Sequence, residues 1–141
     1  MPLVWPAGAH GPAVLEALEG VDAQQASARP IAAAHTIWEL VLHMIAWKSI
    51  VRRRLRGEKV EVTPEVDWPP VGGDRADDWP GAIARLKQEH AELTEVVAGF
   101  GADRLEQAPA GGTTAYTLIH GIIQHDLWHA GQIILLRKRR P

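Results

Sequence analysis

No cysteine occurs in the chain. Disulfides, thiolate ligands and a cysteine nucleophile are thereby excluded. No apolar run approaches the ~20 residues that a bilayer-spanning helix needs. Neither sign of charge dominates: the net charge is −2 with histidine neutral, so no global field draws the chain to nucleic acid or anionic lipid. The N-terminus, Met1-Pro2-Leu3-Val4-Trp5-Pro6, has no basic segment followed by an apolar one, so no secretion signal is expected. A cytoplasmic protein with no nucleic-acid or membrane partner is the expectation. Tyr and Phe occur once each, whereas Trp occurs six times, so aromatic contacts fall to tryptophan.

What is present reads as helix. The 141 residues suffice for a single domain, 1–141, with its own core. Residues 1–11 read as an irregular arm. Pro12 opens a short first helix with Val14, Leu15 and Leu18 on its apolar side and Gly20 as its stop. Asp22 to Pro30 is a connection with room for one helical turn. Thr36 and Glu39 form a capping-box signature for the second helix, and apolar residues at 37, 40, 41, 44, 47, 51 and 55 follow the helical period to Gly57. Glu58 to Asp74 is a long connection. A third helix starts near Asp77, Asp78 and Pro80. Its Trp79, Ile83, Leu86, His90, Leu93, Val97 and Phe100 form a seven-residue repeat, the seam of a left-handed bundle. After a loop at 101–112, a fourth helix runs from about Thr114 to about Arg137, and the basic ending Arg137-Lys138-Arg139-Arg140 suits a helix C-terminus. No strand is expected. The fold class is all-α, a four-helix bundle with a long central crossover.

His125 and His129 lie four residues apart, so on a helix their imidazoles share a face one turn apart. That face also carries Leu118, Ile122, Gln132, Ile133 and Leu136, so both rings point toward the core. Unpartnered imidazoles there are costly, and a metal ion satisfies both at once. The bland alternative is two core histidines bonded to carbonyls or water. Two ligands seldom complete a site, and His43, at the margin of the second helix's apolar stripe, is the best third. Glu39 could be a fourth ligand, an acceptor orienting an imidazole, or a general base, although its capping role is the simpler reading. Gln132 follows His129 by three residues and could hydrogen-bond a bound water.

The other polar residues read more plainly. His90 is a core or interface histidine. Asp126 falls off the histidine face, as a surface group or a support for the site. His35 and His10 read as solvent-exposed. The stripe His120, Gln124, Leu127, Gly131 and Leu135, with Trp128 beside it, reads as a subunit contact. There is no His-Glu-x-x-His run, and Gly72-Gly73 and Gly111-Gly112 lack the Lys-Ser/Thr of a phosphate loop.

Three segments together resemble the DinB-like family. They are His35-Thr36-Ile37-Trp38-Glu39-Leu40-Val41-Leu42-His43 with Ala46-Trp47, Asp67-Trp68-Pro69-Pro70, and His120-Gly121-Ile122-Ile123-Gln124-His125-Asp126-Leu127-Trp128-His129-Ala130-Gly131-Gln132-Ile133. The first helix is shorter than in much of that family. The resemblance implies an up-up-down-down four-helix bundle, usually a homodimer. It also implies a metal, nickel or zinc, held by one histidine of the second helix and two of the fourth: here His43, His125 and His129. Characterised relatives include transferases that join low-molecular-weight thiols such as bacillithiol or mycothiol to electrophiles, and a mycothiol-dependent maleylpyruvate isomerase.

The expectation is a divalent-metal-binding protein acting as a metal-dependent transferase on an external low-molecular-weight thiol. His43, His125 and His129 are the ligands, and Glu39 or Gln132 handles protons or positions water. A metal-dependent hydrolase and a non-catalytic metal-binding stress-response protein are the rivals.

Overall fold

A computed structural model describes residues 13–72 and 78–139. The expected arm at 1–11, Pro12, Gly73, Asp74, Asp77 and Arg140 lie outside the described residues. Within them the chain is all helical, with α1 (Val14–Leu18), α2 (Ala23–Ser27), α3 (Ile37–Leu55), α4 (Pro64–Asp67), α5 (Trp79–Ala98), a 3-10 turn (Ala102–Arg104) and α6 (Ala115–Lys138). No strand occurs among the described residues, and none of the helices is long and apolar enough to cross a membrane.

The boundaries follow local chemistry. Thr36 Oγ1 accepts from Glu39 N (3.1 Å) and a Glu39 carboxylate oxygen accepts from Thr36 N (2.8 Å), which is the capping box written in the sequence. At the other end of α3, Gly57 N donates to Arg54 O and Glu58 N to Arg53 O, both 3.0 Å. This Schellman closure needs a left-handed residue, and Gly57 has φ 90°. Asp78 caps α5 by accepting from Gly81 N (2.6 Å), and Thr114 caps α6 by accepting from Thr117 N (3.2 Å).

Side-chain pairs fix the helix directions. Trp38 meets Trp79, with ring centroids 5.4 Å apart, near the starts of α3 and α5, and Arg52 pairs with Glu89 and Glu92 farther along both. The two helices therefore run parallel. On α6 the order reverses, because Leu40 and Met44 share a core with Ile133 and Leu136, whereas Val51 and Leu55 share one with Ala115 and Leu118. The up-up-down-down expectation is thus corrected, since it makes the second and third helices antiparallel. The reason is the crossover. The segment from 56 to 78 is long enough to carry the chain back along α3, so α5 begins where α3 begins.

The apolar interior forms two clusters stacked along the helices. The first joins Val14, Ala17 and Leu18 of α1 to the first half of α3, the start of α5 and the end of α6. The second joins the last turns of α3 and α5 to the start of α6, with Phe100 and Leu105 packed against it. Residues 43–48 of α3 and 125–129 of α6 lie at the level between them, and the polar side chains of the interior collect there.

Candidate metal centre

Three elements deliver three imidazoles and their supports. His43 comes from the middle of α3, and His125 and His129 come from one face of α6. His43 and His129 are buried, and His125 is partly buried. His43 Nε2 lies 2.9 Å from His125 Nε2, which lies 3.2 Å from His129 Nε2. One ligand atom from each ring falls within 4.8 Å of the others, so the trio could hold a metal ion. Tetrahedral nitrogens ~2.0–2.1 Å from a zinc ion would be about 3.3 Å apart, close to this spacing.

The outer nitrogens decide what the inner ones can do. His43 Nδ1 lies 2.6 Å from the Asp67 carbonyl, which can only accept, so Nδ1 carries the proton and donates. His129 Nδ1 donates in the same way to Gln132 Oε1 at 2.5 Å. Both rings then present an Nε2 lone pair inward. Burial, as the main cause, depresses the pKa of each ring, and His125 is pushed down to about 3 by burial and then by its neighbours His129, His43 and Lys48. Neutral imidazoles are the ligand form. His125 Nε2, as an N–H, can donate to only one of these two lone pairs, whereas a metal ion among the three nitrogens would satisfy them all. The donor set therefore fits a divalent transition metal.

The long connection after α3 is both a crossover and a wall of the site, as its length suggests, but the turn within it and its contacts with His43 were not foreseen in the sequence. Residues 64–67 wind into α4 because Thr63 caps the turn by accepting from Val66 N (3.3 Å) and Pro64 suits its first position. That turn brings Asp67 back to α3, where its carbonyl accepts from His43 and its carboxylate accepts from Trp47 Nε1 at 2.7 Å. Trp68 stacks on His43 (centroids 3.9 Å, 7° between planes) and on His35 (3.6 Å, 8°). His35 is indeed exposed, but it has a role: it bears on Trp68 and pairs with Glu39 at 3.3 Å. The available signal was Asp67-Trp68-Pro69-Pro70, an aromatic and a carboxylate inside an otherwise irregular stretch.

The Glu39 carboxylate bonds Thr36 N and pairs with Arg29 (2.7 Å) and His35; these contacts lower its pKa against burial, the largest single influence, which raises it. Gln132 holds His129. Asp126, expected at the surface or beside the site, is buried, and its carboxylate pairs with Lys48 of α3, itself only 1% exposed. His90 Nδ1 of α5 stands 3.5 Å from Lys48 Nζ, so all three long helices meet at this charge cluster. Lys48 had a signal: it occupies the apolar stripe of Val41, Met44, Val51 and Leu55. His125 Nδ1 is buried with no hydrogen-bond partner among the described residues, and the nearest carboxylate oxygen, Asp126 Oδ1, is 4.0 Å away.

Two clefts reach the trio. One, of about 450 Å³, is lined by Ile31, His35, Leu40, Trp68, Trp128, His129 and Gln132 among others. The second, of about 270 Å³, reaches His125 past Trp47, Arg54 and Ile122. The centre is thus approachable from both ends of the α6 pair.

A family model described as the DinB superfamily matches residues 9–133. No curated protein and no solved structure gives a significant match. The matched segment spans most of the chain and includes all three converging histidines, and on that footing the chain belongs to the DinB superfamily.

Proposed function

We propose that this protein is a metal-dependent transferase that activates a low-molecular-weight thiol, with His43, His125 and His129 as ligands of one nickel or zinc ion. The observation that carries the reading is the convergence of three Nε2 atoms from neutral rings, two of which donate outward through Nδ1. Bound there, a divalent metal would lower the pKa of a thiol at its open position and present it as a thiolate. The chain lacks cysteine, so that thiol must come from outside. Open clefts on two sides favour this over a closed structural site.

The chain's own residues do the positioning. Asp67 and Gln132 fix the tautomers of His43 and His129, and Trp68 covers the His43 ring. Gln132, lining the cleft beside His129, is the polar side chain placed to orient a reactant there. Glu39 is assigned to the α3 cap and, through His35, to holding Trp68; its contacts give no support to a proton-transfer role.

In the same reading the molecule is a four-helix bundle in which α1 supplies a short fourth wall, and it works as a cytoplasmic homodimer. Support for the dimer is the solvent-facing side of α6, where Leu127, Trp128 and Leu135 are 53, 70 and 58% exposed.

The test is metal analysis of untagged protein followed by thiol-conjugation assays against an electrophile. About one nickel or zinc per chain, with conjugation lost on chelation and restored by the metal, is the expected result. Absence of a retained divalent metal overturns the site. A retained metal without conjugation for any thiol leaves a hydrolase or a non-catalytic metal-binding protein.

A further inference from the structure

We infer that the cleft beside His125 is an anion-recognition groove in which Arg54 binds the carboxylate or phosphate of a reactant whose other end reaches the metal centre. This rests on the histidine trio being the reactive site. Four arginines close α3, and their fates differ. Arg52 is spent on Glu89 and Glu92, and Arg53 on Glu58. Arg56 is exposed beyond the helix end. Arg54 is half-buried, donates to the Val60 carbonyl at 3.0 Å, and has no carboxylate partner among the described residues. A guanidinium has five N–H donors in a fixed fork, so one carbonyl leaves most of them available to a bidentate oxyanion.

The surroundings of Arg54 define the ligand. The inner cleft has apolar walls in Trp47, Val51, Leu118 and Ile122, with Arg54 and His125 among its polar lining. At Arg54, Thr113 and Leu118 it continues into an outer cleft of about 360 Å³ bordered by Lys59 and Glu61, both exposed and of opposite charge. The net cation on this path is Arg54. From Trp47 to Arg54 is seven residues of helix, about 10 Å along the axis. A reactant with an apolar stem of about six carbons matches that length, one end toward His125 and the anion at Arg54.

The groove can also be blocked without disturbing either end. Gly121 lines it, and a Cβ there would meet nothing within 4 Å. A larger side chain at 121 is therefore tolerated by the fold, and a leucine there is the variant chosen to narrow the cleft.

The experiment first counts zinc bound to wild type, Arg54→Leu, Arg54→Lys and Gly121→Leu. It then titrates each with 6-mercaptohexanoate, the matching phosphonate and the neutral 6-mercaptohexanamide, read at the Trp47 indole N–H resonance, assigned with Trp47→Phe. All four proteins should bind zinc alike. Wild type should prefer the anionic probes over the amide by about ten-fold or more. Arg54→Leu should bring that ratio to about one, Arg54→Lys should keep part of it, and Gly121→Leu should weaken all three probes. The stronger of the two anionic probes tells carboxylate from phosphate. An equal affinity for acid and amide in wild type, or a preference that survives Arg54→Leu, overturns the inference. If zinc does not bind at all, the metal reading fails separately. The Arg54 groove is then judged in metal-free protein by hexanoate against hexanamide, with the same ratios deciding.

Discussion

His129 occupies the middle of a chain of contacts: its Nε2 faces His125 and its Nδ1 is held by Gln132. His129→Ala should abolish divalent-metal binding while leaving the far-UV spectrum helical, because the helix gains a good helix former and the apolar clusters are untouched. Calorimetric titration with zinc checks it. Gln132→Leu keeps the side chain's size but removes the acceptor for His129 Nδ1, and metal affinity should fall about 10- to 100-fold. An unchanged affinity would mean that Gln132 is only a lining residue. Lys48 and Asp126 behave differently, since a buried charge without its partner is far costlier than the pair is valuable. Lys48→Met should destabilise by about 3–5 kcal/mol, whereas Lys48→Met with Asp126→Leu should recover most of that loss. Urea denaturation of the single and double variants measures the difference.

The elements show where composition speaks and where it is silent. The cap of α3 is read directly from Thr36 and Glu39, and the starts of α5 and α6 from Asp78 and Thr114, which prove to be their caps, because a cap is a bond between residues three apart. The heptad seam of α5 is equally plain: Leu86 and Leu93 are fully buried, as their positions require. Gly57 carries a further local constraint, since its φ of 90° excludes an ordinary side chain and a Cβ would lie 3.4 Å from Pro109 O. Gly57→Ala should cost about 1–2 kcal/mol, seen as a lower melting temperature with the metal site intact. α4 escaped the sequence reading. Its four residues bury no side chain of their own, so no apolar period announces them, and their meaning lies in what Asp67 and Trp68 touch on α3.

At the scale of the molecule, the polar layer between two apolar clusters makes stability depend on pH. His43, His125 and His129 have folded-state pKa values below the ordinary 6.5, with burial as the leading cause. As pH falls below about 6.5 the unfolded chain takes up protons that the folded chain refuses, so metal-free protein should lose stability progressively. For His125 that loss continues down to about 3, its folded-state value, and above about 6.5 these groups contribute no slope. Urea midpoints from pH 8 to pH 4 provide the measurement, and a flat profile would count against buried neutral rings. Metal adds stability by mass action, about 2.7 kcal/mol at 100-fold over its dissociation constant. Chelated protein should still be helical and melt lower, because both apolar clusters stand without the metal. The exposed apolar face of α6 bears on assembly. Trp128→Glu should convert a dimer to a monomer in sedimentation, and a wild-type monomer at micromolar concentration would remove the dimer from the proposal.

Local order was legible in the linear chain: an all-helical fold, the caps, the seam of α5 and the shared face of His125 and His129 all depend on residues within one or two turns of each other. The third histidine was legible only as a candidate, because its partners are 82 and 86 positions away. The parallel course of α3 and α5, the burial of Lys48 against Asp126, and the return of Asp67 and Trp68 onto His43 were decided by tertiary structure alone. Each joins residues far apart in sequence, where no period carries information. The Lys48 charge shows the limit most clearly: a lysine on an apolar stripe reads as an anomaly until the folded chain places a carboxylate opposite it.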